Sequence, residues 1–151
     1  MVKVYVWLPE NPYIGHVALS IQDSYISFWP DSAAGWKDLK KKTSQPGAFM
    51  QRLQDDIDNE GGRNPIIVEL NDIDELKLRE YIKGLQENPP RYQLARNNCS
   101  HVVAECLLAA TGKHASFKPH AGDYSKLGRV LGRGIWTPSQ ILKYAQELKL
   151  T

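Results

Sequence analysis

The sequence predicts an α+β fold, with short β-strands near the start of the chain and amphipathic helices closing it. Strand-like runs rich in β-branched and aromatic residues fill residues 1–30, and helix-like periodicity fills residues 97–112 and 137–150. Strand and helix alternate only once between these parts. With 151 residues, of which 42% are hydrophobic and 24% charged, the chain fits one soluble domain over residues 1–151.

The first strands follow the alternation of polar and apolar side chains. Residues 2–8 predict a strand, and the runs "HVALSI" and "YISFWP" predict a β-hairpin around a tight "DS" turn. His16 therefore opens a strand. Residues 31–63 form a charged excursion within the domain, with a basic run "KDLKKK", a turn "QPG" and an acidic stretch "DDIDNEGGRN". A short helix is expected there near residues 49–57.

The second half of the chain predicts one buried strand and three helices. The run "NPIIVEL" is typical of a buried strand, and residues 71–90 form a helical pattern capped by Asn71 or Asp72. Residues 97–112 predict a helix with an Asn cap and Cys99 in its first turn. The closing helix is expected to start at Pro138, with Thr137 as its cap.

Charge and hydropathy limit the classes of partner. A formal net charge of +2 is too small to indicate nucleic acid. The start "MVKVYVWLPENP" lacks the features of a secretory signal, and no run approaches the roughly 18 apolar residues of a membrane span. We expect a monomer that is cytoplasmic, or one that is exported without a classical signal peptide. The basic run at residues 37–42 offers peripheral contact with an anionic membrane.

Cys99 admits three interpretations: a nucleophile, a metal ligand or a core residue. Seven residues of helix place Cys99 and Cys106 about 10 Å apart, so we expect two reduced thiols, with Cys106 in the core. A zinc site would need Cys99, His101, Cys106 and either His114 or His120. No CxxC pair is present, and Cys99 and His101 do not face the same way on a helix. We therefore expect no metal and no cofactor.

The nucleophile interpretation needs a base, and His16 is the candidate. A helix N-terminus stabilises a thiolate and supplies N–H groups to an oxyanion. A histidine at the first residue of a strand is held rigidly, and the strand can pack beside the helix N-terminus. Because a Cys–His pair is defined by proximity in space, Cys99 and His16 can act together from opposite ends of the chain.

These two stretches together resemble the circularly permuted papain-like superfamily, in which the strand bearing the histidine precedes the helix bearing the cysteine. The segment "YQLARNNCSHVV" resembles the cysteine motif of the lecithin retinol acyltransferase and H-Ras-like-suppressor families. The matching positions are Tyr92, Leu94, Asn98, Cys99, His101, Val102 and Val103. The segments "GHVALSI" and "YISFWP" are similar to sequences of the bacterial branch of this NlpC-type superfamily, which includes the Rho-inactivation domains of toxins.

The resemblance implies a permuted papain-like fold, with an antiparallel sheet packed against the helix that carries Cys99. It also implies that Cys99 is the nucleophile and His16 the base of a thioester mechanism. The lipid acyltransferases carry a second histidine where this chain has Ser27, so the resemblance makes Ser27 the third catalytic residue. Asp23 and Asp31 are charged alternatives nearby.

Four further residues are assigned supporting roles by the motif. Gln93 has the spacing of an oxyanion glutamine, Tyr92 is an alternative donor, and Asn98 and His101 support the cysteine. The implied function is a thiol hydrolase, a peptidase or amidase of bacterial effector type, acting on a protein, a peptide or an acyl-lipid. An N- or O-fatty-acyltransferase would use the same residues. A catalytically silent binding domain on this fold is the alternative from another class.

Overall fold

A computed structural model describes residues 1–30, 47–50, 52–91, 98–120, 122 and 134–150. The described elements confirm the α+β class. The strands are β1 (Val2–Trp7), β2 (His16–Ile21), β3 (Ser24–Pro30), β4 (Gly47–Met50) and β5 (Ile66–Leu70). The helices are α1 (Leu53–Asn59), α2 (Glu75–Glu87), α3 (Cys99–Thr111) and α4 (Pro138–Leu150). No helix of the described part of the chain is long and apolar enough to cross a membrane.

The five strands form one antiparallel sheet in the order β4-β3-β2-β1-β5. The predicted hairpin of β2 and β3 is confirmed, with Ile21 paired to Ser24 across a two-residue turn. Gln22 adopts φ 52° in that turn, the left-handed region that such tight hairpins require. In the adjacent pair, Trp7 of β1 lies opposite His16 of β2.

The two faces of the sheet carry different side chains because strand residues alternate between faces. One face is aliphatic and packs against α2, α3 and α4 to form the main core; its strand members are Val2, Val4, Val6, Val17, Leu19, Ile21, Ile26, Phe28, Val68 and Leu70. The opposite face carries a smaller cluster of Tyr5, Trp7 and Ala18, which α1 covers with Leu53 and Ile57. His16 belongs to this second face, since it lies two residues before Ala18 in β2 and strand residues two apart point to the same face.

The N-termini of α3 and α4 lie together beside the start of β2. Asn98 caps α3 by accepting the His101 N–H at 2.8 Å, and its Nδ2 donates to the Trp136 carbonyl at 2.8 Å. Gly15, next to His16, packs so closely that an added Cβ would lie 3.1 Å from Pro138 Cγ. These contacts place the first residue of β2 next to the first turn of the Cys99 helix.

Within residues 31–63, the structure describes a strand as well as the expected short helix. Residues 47–50 form β4, which pairs with β3 and extends the sheet, and Phe49, expected in a helix, lies in this strand. The helix begins later, at Leu53, and covers the second face of the sheet. The described part of the segment therefore belongs to the sheet and its covering helix. The sequence did not indicate this, because its apolar residues alternate with charges over runs too short to give a clear period.

Three smaller expectations are also corrected. Asp74, rather than Asn71 or Asp72, caps α2 by accepting the Lys77 N–H at 3.1 Å. Among the described residues, the buried Thr137 hydroxyl has no hydrogen-bond partner and caps no N–H of α4, although the helix does begin at Pro138. The "NPIIVEL" strand is β5 at an edge of the sheet, where Ile66 and Ile67 are more than two-fifths exposed.

Candidate active site

His16 is fully buried at the start of β2 and is held on several sides. Its imidazole stacks on the Trp29 indole, with ring centroids 4.1 Å apart and an interplanar angle of 16°, and Trp7 lies on another side at 5.7 Å. Its Nε2 lies 2.7 Å from Ser27 Oγ and 3.2 Å from Asp56 Oδ2. Because a carboxylate only accepts hydrogen bonds, the hydrogen between these groups belongs on Nε2.

Asp56 projects from α1 into this cluster and is fully buried. Its Oδ1 accepts from Trp29 Nε1 at 2.7 Å, and its Oδ2 accepts from the Tyr25 hydroxyl and faces His16 Nε2. A buried carboxylate is tolerated only when it is paired and hydrogen-bonded, and Asp56 meets both conditions. Asp56 therefore supplies the charged partner of His16.

Ser27 bridges the base and the carboxylate. Its Oγ lies 2.7 Å from His16 Nε2, as the resemblance implied for a third residue, and its hydroxyl also hydrogen-bonds Asp56. Ser27 is buried in β3 and faces the same side as Tyr25 and Trp29. The site thus has both a neutral and a charged partner on Nε2.

The electrostatics of the cluster favour a proton on His16. Burial lowers the pKa of His16, but the charges of Cys99 and Asp56 and their hydrogen bonds outweigh burial and raise it to about 10. Burial raises the pKa of Asp56, but the His16 charge and the hydrogen bonds from His16, Ser27 and Tyr25 hold it below its ordinary value. Both effects describe an imidazolium paired with a carboxylate.

Cys99 is the first residue of α3, a free thiol that is only 5% exposed. The charge of Cys99 and hydrogen bonding with its side chain contribute to the raised pKa of His16. Nε2 is engaged by Ser27 and Asp56, while Nδ1 is buried with no hydrogen-bond partner among the described residues, so Nδ1 is the nitrogen left for the thiol. The N–H groups of Cys99 and Ser100 have no intrahelical acceptor and are candidate oxyanion donors.

The structure therefore brings His16, Ser27 and Cys99 together, and sequence reasoning missed Asp56. Asp23 is an exposed residue of the hairpin turn, and Asp31 lies outside the described residues. The helical period of α1 distinguishes Asp56 only once the bounds of that helix and the face it packs on are known. Asp56 lies three residues after Leu53 and beside Ile57, on the face that covers the sheet, whereas Asp58 is exposed and bonded to Gln54.

Two other residues of α3, Cys106 and His101, lie outside the His16 cluster. Cys106 is a core residue whose pKa is raised to about 12 by burial and by the Glu105 charge. His101 pairs with Glu105 of its own helix at 3.0 Å rather than bonding directly to another element. Glu105 in turn accepts from the Tyr81 hydroxyl of α2 at 2.9 Å. His101 thus takes no part in the His16 cluster.

Two supporting residues cannot be placed. Tyr92 and Gln93 lie outside the described residues. Asn98, in contrast, has a defined role, because its side chain caps the helix that presents Cys99 and ties it to the segment before α4. Among the residues that the structure describes, no group of three or more histidine, cysteine, aspartate or glutamate side chains is arranged to hold a metal.

A cavity of about 190 Å³ opens between α3 and α4. Its walls include Ala104 and Leu108 of α3, Tyr144 of α4 and the preceding Trp136. Its lining also includes His101, Glu105, His114 and Ala115, and none of His16, Ser27, Asp56 and Cys99 lines it. The wall of the cavity is mainly apolar.

Fold and site together define an α+β domain with a cysteine, a histidine and an aspartate in one buried cluster. The family model of the IcsB middle domain matches residues 34–150, which include Asp56 and Cys99. Since the match covers more than half of the chain, the chain belongs to the IcsB middle domain family, a family of bacterial effector domains. No curated protein and no solved structure matches the chain.

Proposed function

We propose that this domain is a cysteine-dependent acyl-transfer enzyme that works through a thioester on Cys99. One observation carries the proposal: the imidazole of His16 is buried with Nε2 bound by Ser27 and Asp56, and Cys99 acts on the same ring. A purely structural histidine has no need of a buried carboxylate together with a helix N-terminal thiol. The motif that resembles permuted papain-like enzymes lends further support through the same two residues.

In the proposed first half-reaction, the Cys99 proton already resides on His16, and the resulting imidazolium, which the carboxylate on Nε2 stabilises, faces the Cys99 thiolate. The thiolate attacks the acyl carbon and forms the S–C bond, and the carbonyl oxygen becomes an oxyanion near the N–H groups of Cys99 and Ser100. When the intermediate collapses, the bond to the leaving amine breaks and that amine takes the proton from His16. The product is an acyl thioester on Cys99.

In the second half-reaction an acceptor attacks the thioester. With water as the acceptor, His16 takes a water proton, the new C–O bond forms and the C–S bond breaks, which releases a carboxylic acid and restores the thiolate. This outcome is amide or peptide hydrolysis, which we propose as the activity. Within a family of bacterial effector domains, such an activity suits a delivered effector that acts on a protein or peptide substrate.

A second candidate is transfer of a fatty acyl group to a nitrogen or oxygen acceptor. The observation in its favour is the cavity of about 190 Å³ between α3 and α4, walled by Ala104, Leu108, Trp136 and Tyr144 together with His101, Glu105 and His114. An apolar cavity can accept a hydrocarbon chain, whereas a peptide backbone requires polar partners. The catalytic residues and the thioester are the same for both reactions.

The nucleophile is tested by intact-mass analysis after treatment of the folded protein with iodoacetamide. We expect Cys99 to be carbamidomethylated selectively over Cys106, because only Cys99 has a base beside it. His16→Gln should abolish this selectivity. His101→Gln is the matched control, since it removes a histidine of α3 whose ring pairs with Glu105. Equal or absent labelling of the two thiols in the parent protein would indicate a catalytically silent binding domain.

The acceptor is tested separately with acyl-CoA and with a peptide mixture. A mass increase of one acyl group on Cys99 that passes to an added amine would support transfer. Cleaved peptides, with no lasting adduct, would support hydrolysis. In either experiment Cys99→Ser must be inactive, and activity that survives this change would contradict the proposed nucleophile.

A further inference from the structure

Resting on the function proposed above, we infer that Arg63 is a positioning residue for the site, which with the buried Glu60 fixes the end of α1 and so holds Asp56 against His16. Arg63 follows α1 by four residues and touches neither His16 nor Cys99. It acts through Asp56 and has no contact with the reacting atoms.

The first set of contacts joins Arg63 to the end of α1. Its Nη2 pairs with Glu60 Oε2 at 2.8 Å, and its Nε donates to the Glu60 carbonyl at 3.1 Å. The Glu60 N–H in turn donates to the Asp56 carbonyl at 3.0 Å. Glu60 also lies one helical turn after Asp56, and both side chains are buried. The guanidinium is thus linked to Asp56 through a single residue.

The second set of contacts joins Arg63 to the segment between β1 and β2. Its Nη1 donates to the Leu8 carbonyl at 3.0 Å and pairs with Glu10 at 3.1 Å. The guanidinium lies 5.5 Å from the centre of the Tyr13 ring, and the Arg63 carbonyl accepts from Trp7 Nε1 at 2.9 Å. Since β2 begins a few residues after Tyr13, Arg63 ties α1 to the same segment that leads into His16.

These contacts matter because α1 is weak on its own. It has only seven residues, and its N-cap residue Arg52 makes no side-chain cap. Isolated helices of this length are unstable in water, so tertiary contacts must hold α1 in place. A shift of about 1 Å would separate Asp56 Oδ2 from His16 Nε2, because 3.2 Å is already near the limit of a good contact.

Arg63 also compensates the buried charge of Glu60. Burial raises the pKa of Glu60, and the hydrogen bond and charge of Arg63 oppose this shift. Without Arg63, the Glu60 and Asp56 carboxylates, one helical turn apart, would both depend on the positive charge of His16. A guanidinium satisfies several acceptors at once in a fixed geometry, which an ammonium cannot do.

The test is a proton titration of His16 by NMR in the full chain, with the His16 signal assigned from its loss in His16→Gln. Arg63→Lys keeps the positive charge but cannot make the four polar contacts, so it isolates geometry from charge. We expect the proton affinity of His16 to fall about tenfold as Asp56 loosens. Lys83→Arg, in an exposed ion pair on α2, is the matched control and should leave the titration unchanged.

A second variant covers the case in which Arg63→Lys does not fold. Glu60→Gln/Arg63→Gln removes both charges of the pair together and should also lower the proton affinity of His16. A wild-type titration in either folded variant would overturn the positioning role of Arg63. Asp56→Asn separates this result from failure of the proposed function, because an unchanged His16 titration in Asp56→Asn would remove Asp56 itself from the site.

Discussion

Asp56 is a buried charge that the fold surrounds with donors. Tyr25, Trp29 and Ser27 each hydrogen-bond it, and His16 supplies the opposite charge. Burying a lone carboxylate is strongly unfavourable, so such a set of partners indicates a group that the protein needs in its ionised form. The imidazolium form of His16 follows from this arrangement.

Replacement of Asp56 by asparagine keeps the shape and removes the charge. We expect Asp56→Asn to slow alkylation of Cys99 at neutral pH by about 100-fold, a typical loss when acid–base assistance fails. The rate is measured by intact mass against time. Asp58→Asn is the control, because Asp58 is exposed on the same helix and bonds Gln54. Equal rates in the two variants would contradict the role of Asp56.

At this scale the sequence is informative where a motif exists. Cys99 and His16 were predicted from a helix start and a strand start, and Ser27 from the resemblance. Asp56 was missed because α1 carries three aspartates in four positions, and their chemistry is the same until the sheet buries one of them. Burial depends on packing that the local sequence does not determine.

Among the elements, those with a clear period were predicted, whereas β4 was missed and the short helix α1 was expected four residues too early. The β2–β3 hairpin, α2, α3 and α4 extend over enough residues to display a repeat of two or 3.6 residues. β4 has four residues and α1 seven, which is too short for either repeat to stand out. Their place is set by the neighbouring strand and sheet face, which are distant in sequence.

The join between β2 and α4 depends on Gly15. It adopts φ +85°, and an added Cβ would lie 2.6 Å from the Trp7 carbonyl oxygen as well as against Pro138. We expect Gly15→Ala to lower the free energy of unfolding by about 2–4 kcal/mol, from backbone strain and steric overlap together. Urea denaturation gives the value.

Gly112→Ala provides the matched control for Gly15→Ala. Gly112 also has a positive φ, +68°, but nothing lies within 4 Å of the added Cβ. We expect Gly112→Ala to lower the free energy of unfolding by only about 1 kcal/mol, from backbone strain alone. A loss in Gly15→Ala no larger than in Gly112→Ala would show that the close packing beside His16 contributes nothing to stability.

For the whole molecule, the buried ion pair makes stability depend on pH. The pKa of His16 is about 10 in the folded protein against an ordinary 6.5, so its stabilisation is complete below pH 6.5 and is lost as pH rises through 10. The pKa of Asp56 is lowered from its ordinary 3.8, so its contribution is present above that pH and is lost in stronger acid. The contribution of the pair to the free energy of unfolding is therefore greatest between pH 3.8 and pH 6.5.

The expected slope is measurable by urea denaturation at several pH values. Between pH 6.5 and 10 the free energy of unfolding should fall by up to about 1.4 kcal/mol per pH unit from His16 alone. Other groups titrate near pH 10, so the effect is the difference between the parent protein and His16→Gln. His101→Gln should keep the parent slope. A His16→Gln protein with an unchanged slope would contradict the ion pair.

The cluster also has a consequence for the timing of reactivity. Its base, its carboxylate and its thiol come from β2, α1 and α3, which meet only when the sheet is covered on both faces. Under the function proposed above, preferential labelling of Cys99 over Cys106 requires this arrangement, so we expect the ratio of Cys99 to Cys106 labelling to rise as the native state forms.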